Sequence, residues 1–210
     1  MFCNGEIRDL AFHGKLIKDD DLLIAVDGGG KYLFDLDLVP DIAIGDFDSI
    51  PSEILKVYQK RGTECISFPS DKDYIDMVLA IEEARNRGCD RIMILGAFGG
   101  KRVDMFMANL TAIACFADDC EIVMKNEFSE ARVLSAGGRL EISGEVGDYL
   151  SLIPISEEVE AKDSFGLKYP LKDLVFHFGE TRGVSNELTE KKASLSIRSG
   201  KAVVILQKRS

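Results

Sequence analysis

The chain has 210 residues, of which 46% are hydrophobic and 30% are charged, a composition that is typical of a globular protein and excludes a disordered one. Acidic residues outnumber basic ones 36 to 26, and the net charge of −10 argues against a protein that binds nucleic acid through a basic face. This charge is compatible with a small anionic ligand whose phosphates are neutralised by a divalent cation or by backbone amides.

The five cysteines are odd in number and form no CxxC pair, which indicates reduced thiols rather than a disulfide framework. The sequence contains no run of 18 apolar residues and no signal-peptide pattern at its start. We therefore expect a cytoplasmic protein that has no membrane or nucleic-acid partner.

The first half of the chain alternates strand and helix patterns. Continuous apolar runs predict buried parallel strands at 22–26, 41–45, 64–68, 91–95 and 121–124. Apolar periodicity predicts helices from about 74 to 87 and from about 104 to 117. Residues 2–5 are typical of a strand end, which implies a first strand that is very short or a chain that begins a few residues late. Residues 1–126 are predicted to form a three-layer α/β domain with a parallel sheet.

After residue 126 the pattern changes. Apolar and polar residues alternate at 139–143 and 194–198, which predicts strands with one face in water. We interpret Gly137-Gly138 and Ser199-Gly200 as hairpin turns. No helix pattern is found, so residues 127–210 are predicted to form a smaller all-β domain, a sandwich or a barrel.

Four loops follow the predicted parallel strands, at the edge of an open sheet where ligands bind. Their sequences are DGGG at 27–30, DFDS at 46–49, DKDYID at 71–76 and GAFGGKRVD at 96–104. Any one of these loops is more often an ordinary turn than a site, since Asp and Gly are common turn residues. The coincidence of all four at one edge favours a functional site.

The acidic residues of these loops favour a metal site. Asp46 and Asp48 are separated by one residue, so both carboxylates point the same way if the segment is extended. Asp73 and Asp76 are three residues apart at a predicted helix start, hence on one face. Crowded carboxylates favour a hard divalent cation, for which we predict Mg²⁺.

The same loops carry groups that suit phosphate oxygens. The glycines at 28–30 and 99–100 would let backbone amides approach a phosphate closely, and Lys72, Lys101 and Arg102 would balance its charge. Together with the metal site, these groups predict metal-assisted transfer of a phosphorus group.

The sequence offers few residues for other kinds of catalytic or nucleotide-binding site. The two histidines, His13 and His177, lie in different predicted domains, which argues against a histidine zinc site or a Ser-His-Asp triad. The GxxxxGK[ST] pattern is absent, and no GxGxxG follows a strand.

A series of motifs extends along nearly the whole chain. They are DGG at 27–29, PD at 40–41, GDFDSI at 45–50, KDYID at 72–76, GGKRVD at 99–104 with Asn109, SLIP at 151–154, GLKYPL at 166–171 and GVSNE at 183–187. In order and approximate spacing, this series resembles the thiamin pyrophosphokinase family.

The resemblance implies a homodimeric enzyme with ATP bound by the α/β domain and thiamin near the subunit interface, contacted by the partner's β domain. The thiamin hydroxyl would attack the β-phosphorus of ATP, with Mg²⁺, giving thiamin diphosphate and AMP. The matching motifs imply catalytic carboxylates at Asp46, Asp48, Asp73 and Asp76, and magnesium ligands at these four residues and Asp71. They also imply substrate-binding residues, those for the nucleotide at Asp27, Gly28, Gly29, Lys72, Arg102 and Asp104 and those for thiamin at Ser185 and Asn186.

The chain departs from the family pattern in three ways. Ile75 replaces a usual threonine, Met105 replaces a histidine frequent in bacterial members, and the chain has no tryptophan. Two alternatives therefore stay open: a pyrophosphokinase acting on a different alcohol, and a nucleotide- or thiamin-binding protein with weak catalysis.

Overall fold

The computed structural model describes residues 1–209, which divide into two compact units. Unit 1 comprises Met1–Ala112 with Met124–Glu127, and unit 2 comprises Ile113–Val123 with the chain from Phe128 onward. Among the residues described, no helix combines the length and the apolar character needed to cross a membrane.

Unit 1 alternates short strands and helices. Its elements are α1 (Leu10–Gly14), β1 (Ile24–Val26), a single 3-10 turn (Asp27–Gly29), α2 (Gly30–Asp35), β2 (Ile42–Gly45), α3 (Ser52–Lys60), β3 (Glu64–Ser67), α4 (Asp76–Asn86) and β4 (Arg91–Leu95). The division between the two units falls within the next two elements, α5 (Val103–Phe116) and β5 (Glu121–Lys125).

The sheet of unit 1 is parallel, as predicted. β2 lies between β1 and β3, with Ala43 opposite Ala25 and Cys65. The short strand expected near residue 2 is a single bridging position, because Phe2 forms parallel bridges to Ala25 of β1 and to Leu95 of β4. The start of the chain therefore occupies the place between β1 and β4.

The helices of unit 1 bury apolar side chains. α4 buries Met77, Ala80, Ile81 and Ala84, the periodicity that predicts it in the sequence. It begins at Asp76 rather than near 74, because Ile75 has an extended backbone. The core around β1 and β2 includes Phe2, Leu23, Ala25, Leu33, Ala43, Ile50, Tyr58 and Leu95.

Unit 2 is built mainly of antiparallel strands, and residues 127–209 contain no helix. The strands are β6 (Ser129–Ser135), β7 (Arg139–Ser143), β8 (Tyr149–Pro154), β9 (Glu158–Phe165), β10 (Val175–His177), β11 (Asn186–Glu187), β12 (Lys192–Ser199) and β13 (Lys201–Gln207). One sheet has the order β10-β9-β12-β7, and β11, β8, β13 and β6 are neighbours in that order in the other. Both sheets contribute to one buried core, which includes Leu152, Val159, Leu195 and Val204.

The interpretation of the two glycine turns as hairpins is wrong. Gly137 connects β6 to β7 and Gly200 connects β12 to β13, and in each case the two strands belong to different sheets. Gly200 has φ 82°, and a Cβ atom there would lie 2.1 Å from the carbonyl oxygen of Glu158. The glycines lie at tight turns, but the two strands that each turn connects do not pair with each other. They belong to opposite sheets, because the two sheets cover the same core.

Candidate functional site

Three carboxylates of unit 1 converge at the C-terminal ends of neighbouring parallel strands. Asp27 follows β1, whereas Asp46 and Asp48 follow β2, and one oxygen from each lies within 4.8 Å of the others. Asp27 and Asp46 are partly buried and Asp48 is exposed. Asp46 and Asp48 are predicted metal ligands, and the structure places them close together. It also places Asp27 beside them, a residue that the family resemblance associates with the nucleotide.

The backbone of both loops is in the left-handed region. Asp27 has φ 48° and Phe47 has φ 63°, values that are uncommon for residues other than glycine and that occur at functional sites. The segment through Asp46 and Asp48 is therefore not extended, and the condition under which strand alternation would align the two carboxylates is not met. The segment is a turn in which the Asp48 N–H donates a hydrogen bond to Asp46 Oδ1 at 3.1 Å. The turn, not strand alternation, brings the two carboxylates together.

Gly45 explains how the two loops approach each other. Its φ is 148°, and a Cβ atom at this position would lie 3.1 Å from the Cβ of Asp27. The absence of a side chain thus permits the contact between the end of β2 and the loop after β1.

A fourth carboxylate, Asp76, lies at the start of α4. Burial raises its pKa, and Lys72 opposes that effect by hydrogen bonding and charge. The pKa of Asp46 is lowered, chiefly by the backbone hydrogen bond from Asp48 and then by a side-chain hydrogen bond from Ser70. Asp27 and Asp46 are also among the charges that act on Asp76, so these carboxylates share one electrostatic environment.

The donor set fits a hard divalent cation. Asp27 Oδ1 is buried and has no hydrogen-bond partner within residues 1–209, and the buried Asp76 Oδ1 faces the Lys72 ammonium at 3.2 Å. Buried carboxylate oxygens are normally hydrogen-bonded, and oxygens of this kind are the ligands that Mg²⁺ takes. The residues able to hold such an ion are therefore Asp27, Asp46, Asp48 and Asp76.

Asp71 and Asp73 differ from Asp76 in their exposure. None of the three belongs to the set of carboxylates within 4.8 Å of one another, but Asp71 and Asp73 are exposed residues of the segment before α4, whereas Asp76 is partly buried. The prediction that Asp73 and Asp76 share a helix face is wrong, because the helix begins only at Asp76.

Gly28 and Gly29 are buried against the start of the chain. A Cβ atom on Gly29 would lie 2.0 Å from the carbonyl oxygen of Phe2, and one on Gly28 would lie 2.3 Å from Asn4 Oδ1. Close packing against backbone is therefore sufficient to require glycine at position 29, whereas a side chain at position 28 would require the Asn4 side chain to move. Gly99 and Gly100, by contrast, are exposed and have positive φ values of 66° and 94°.

Arg102 and Asp104 form an ion pair at the start of α5. Arg102 immediately precedes the helix, and Asp104 lies in its first turn. Arg102 Nη2 lies 2.5 Å from Asp104 Oδ2, and Nε donates to both carboxylate oxygens. This hydrogen bonding lowers the pKa of Asp104 to about 2. The two side chains are exposed and act as one neutral pair rather than as two independent charges.

In unit 2, Ser185 and Asn186 occupy different environments. Ser185 is exposed with φ 61°, and its N–H donates to Ser151 Oγ at 3.1 Å. Asn186 is 5% exposed, and its amide binds the backbone of Tyr169. The side chain implied to contact thiamin is therefore used inside the fold, where it joins the GVSNE segment to the GLKYPL segment. The sequence contains both motifs but no signal that they touch.

Comparison with known proteins identifies the family. Residues 13–124 match the model described as thiamin pyrophosphokinase, catalytic domain, and residues 139–202 match the one described as thiamin pyrophosphokinase, vitamin B1 binding domain. The chain belongs to the thiamin pyrophosphokinase family. Members of this family are transferases, so the protein is an enzyme of that class, and the resemblance found in the motifs is confirmed.

Relatives of the thiamin pyrophosphokinase family match over most of their length. The chain is 30% identical over 185 residues to the thiamine pyrophosphokinase of Bacillus subtilis (strain 168), an alignment that covers 88% of this chain and 86% of the relative. The crystal structure of thiamine pyrophosphokinase from Bacillus subtilis superposes with a TM-score of 0.85 at 27% identity, covering 99% of this chain and 97% of that chain. That of the Geobacillus thermodenitrificans protein gives 0.82 at 29% identity, with coverages of 99% and 95%. These structures confirm the predicted fold class, a parallel α/β domain followed by a sheet-rich domain.

Proposed function

We propose that the protein transfers a pyrophosphoryl group from ATP to the hydroxyl of thiamin, with Mg²⁺, giving thiamin diphosphate and AMP. The thiamin oxygen bonds to the β-phosphorus, the bond from that phosphorus to the oxygen bridging the α-phosphate breaks, and the hydroxyl proton is released. The observation that carries the proposal is the convergence of Asp27, Asp46 and Asp48 at the ends of neighbouring strands in a chain of this family.

In this proposal the carboxylates of unit 1 hold the ion. Asp27, Asp46 and Asp48 would bind it directly, and Asp76 has a buried oxygen available for the same purpose. When bound, Mg²⁺ would supply positive charge that offsets the phosphate oxygens during transfer. Asp71 and Asp73 stay in the proposal as exposed carboxylates, and their substitution decides whether they belong to the site.

The nucleotide would be held by charged groups of the neighbouring loops. We propose that Lys72 and the Arg102–Asp104 pair contact the phosphates or the ribose of the nucleotide. We propose that the backbone of Gly28 and Gly29 lies beneath the nucleotide. Lys72 suits a phosphate because its ammonium is a flexible point charge. The predicted α/β domain, residues 1–126, is proposed as the catalytic domain.

Thiamin would be bound by the β domain, predicted as residues 127–210. The match of residues 139–202 to a vitamin B1 binding domain supports this assignment. We assign a direct contact to the exposed Ser185 and a supporting role to Asn186, whose amide is already engaged with Tyr169. We also propose that the protein is cytoplasmic and that it forms a homodimer with thiamin near the subunit interface. Light scattering on the purified protein would test the homodimer.

The decisive experiment identifies both products. Purified protein is incubated with ATP, Mg²⁺ and thiamin, and the products are separated by chromatography, with the Asp46→Asn variant as the control. AMP and thiamin diphosphate in equal amounts support the proposal, whereas ADP with thiamin monophosphate would refute pyrophosphoryl transfer. AMP formation that requires another alcohol would support a different acceptor. Thiamin binding without turnover would indicate a binding protein.

A further inference from the structure

We propose that Lys72 is the internal counter-cation of the carboxylate group and that it competes with divalent metal for Asp76. The ammonium of Lys72 would occupy part of the cation site in the metal-free enzyme and would be displaced when a metal ion takes the Asp76 oxygen. The inference rests on the proposed magnesium site and not on the identity of the acceptor alcohol.

The position of Lys72 is the first observation. Its side chain is only 15% exposed, and its Nζ lies 3.2 Å from Asp76 Oδ1. The same ammonium donates a hydrogen bond of 3.0 Å to the carbonyl oxygen of Pro69. A lysine this enclosed, four residues before the aspartate it faces, is directed into the site rather than into solvent.

The charges around Lys72 are the second observation. Lys72 acts electrostatically on both Asp46 and Asp76, and Asp76 in turn senses Asp27 and Asp46. Lys72 therefore acts on two of the four carboxylates that the metal would bind, Asp46 and Asp76. Without a positive group among them, these carboxylates would repel one another in an environment partly removed from water.

The Asp76 oxygen explains why the two cations would compete. Asp76 Oδ1 is buried, and the Lys72 ammonium forms an ion pair with it at 3.2 Å. A metal ion needs to be in direct contact with that oxygen, at a distance close to 2.1 Å for Mg²⁺. The ammonium and the ion would then have to share one small space, so binding of one would displace the other.

Displacement of Lys72 is physically reasonable, because few contacts hold it. Its ammonium has a charge contact with Asp76 and one hydrogen bond to Pro69, on a flexible four-carbon stem. Once displaced, it would be free to bind a phosphate oxygen. Arg102 is unsuited to the role of internal counter-cation, because it is exposed and paired with Asp104.

The experiment measures metal binding without nucleotide or thiamin. Mn²⁺ serves as the probe, and electron paramagnetic resonance counts the free ion during titration of the full chain. We expect Lys72→Met to bind Mn²⁺ about 10-fold more tightly or to bind one more ion than the unmodified protein. Lys72→Arg, which retains the charge, should show at most a small change. Equal or weaker Mn²⁺ binding by Lys72→Met would overturn the proposal.

Two further variants separate competition from a general effect of charge. Lys31→Met removes a positive charge from α2, the helix that follows Asp27, and should change Mn²⁺ affinity much less than Lys72→Met. Adding Asp76→Asn to Lys72→Met should remove the gain, because the oxygen released by Lys72 is then no longer anionic. An equal gain in Lys31→Met, or a gain that survives Asp76→Asn, would contradict the assignment.

Thermal unfolding gives a second readout that remains valid if Lys72→Met is less stable. Loss of the counter-cation should lower the melting temperature without metal and enlarge the increase caused by Mg²⁺, since binding to the native state stabilises it. The same increase in both proteins would overturn the proposal. Neither assay requires turnover, so failure of the proposed thiamin reaction would leave this test intact.

Discussion

The side-chain amide of Asn186 binds both backbone polar groups of Tyr169. Asn186 Oδ1 accepts a hydrogen bond from the Tyr169 N–H at 3.0 Å, and Nδ2 donates to the Tyr169 carbonyl oxygen at 2.7 Å. Asn186 Oδ1 also accepts from the N–H of Glu187 at 2.9 Å. Tyr169 itself is 59% exposed, so this buried amide fixes the backbone of a segment that presents an aromatic ring to solvent.

Substitution of Asn186 should therefore affect stability first. Asn186→Ala leaves partly buried backbone groups of Tyr169 without these partners, and each costs up to about 1–3 kcal/mol, less where water reaches it. We expect a lower free energy of unfolding, measured by urea denaturation, and a larger KM for thiamin with a smaller change in kcat. Ser185→Ala is the matched control, because an exposed side chain should change stability by less than about 0.5 kcal/mol. An Asn186→Ala protein of unchanged stability would contradict the role given to this amide.

Substitution of the converging carboxylates should abolish turnover and leave the fold intact. Asp27→Asn and Asp46→Asn each replace an anionic oxygen by a neutral amide, so we expect kcat/KM to fall at least about 100-fold with a weaker dependence on Mg²⁺. Steady-state kinetics over a range of Mg²⁺ concentrations would measure this, with circular dichroism to confirm folding. Asp71→Asn and Asp73→Asn provide the comparison, since a small effect would place these exposed residues outside the site. Full activity of Asp27→Asn would exclude it as a ligand.

Gly29→Ala distinguishes a packing role from a phosphate-binding role. The added methyl group would lie 2.0 Å from the Phe2 carbonyl oxygen, a contact with backbone that requires the segment to move. We expect the melting temperature to fall by several degrees, corresponding to about 1–3 kcal/mol for overpacking. Gly14→Ala is the control, because its new methyl group would meet only the flexible side chain of Leu36 at 3.0 Å. A Gly29→Ala protein of normal stability with a raised KM for ATP would favour the phosphate role.

Stability should decline in alkaline solution because of a buried thiol. Burial raises the pKa of Cys3 from 9.0 to about 12, so between these values the unfolded chain loses a proton that the folded protein keeps. Rising pH therefore favours unfolding in this window, by at most about 1.4 kcal/mol per pH unit for one group. Below pH 9 both states keep the proton and the effect vanishes.

Urea unfolding of the unmodified protein and Cys3→Ala at pH 8, 9 and 10 would measure this contribution. The free energy of unfolding of Cys3→Ala should decline less steeply above pH 9 than that of the unmodified protein. Packing lost through the substitution lowers the stability of the variant equally at every pH and does not change this slope. Burial also raises the pKa of Tyr58, which adds a decline of the same sign at higher pH to both proteins. Parallel curves for the two proteins would contradict the assignment to Cys3.

The sequence predicts those features that depend on local patterns. Apolar runs locate β1, β2 and β4 in unit 1 within about two residues, and the periodicity of Met77, Ala80, Ile81 and Ala84 locates α4. Short motifs likewise indicate that Asp46 and Asp48 form part of the site. These patterns arise from burial and residue spacing, which a single sequence records directly.

Features that depend on contacts between distant segments could not be predicted. The parallel-strand pattern predicts that the loops at 27–30 and 46–49 lie at one edge of the sheet. The close approach of Asp27 to Asp46, however, depends on the left-handed backbone of Asp27 and on the absence of a side chain at Gly45, and neither conformation follows from residue type. The two glycine turns of unit 2 indicate where the chain reverses, whereas the pairing of each strand is decided by the core that both sheets cover. The hydrogen bonds between the amide of Asn186 and the backbone of Tyr169 likewise have no local signal, because the two residues are 17 positions apart in the sequence.

The position of β13 between β6 and β8 has a consequence for how unit 2 reaches its native state. Ser129 and Gln207 lie at one end of the β6–β13 pair and are 78 positions apart in the chain. Closing so large a loop costs entropy before the β6–β13 hydrogen bonds form. The rate-limiting barrier should therefore include the pairing of β13 with β6, and folding should be slow. Until β13 arrives, β6 and β8 each have an unpaired edge on that side, so the nascent chain is most prone to self-association in this interval.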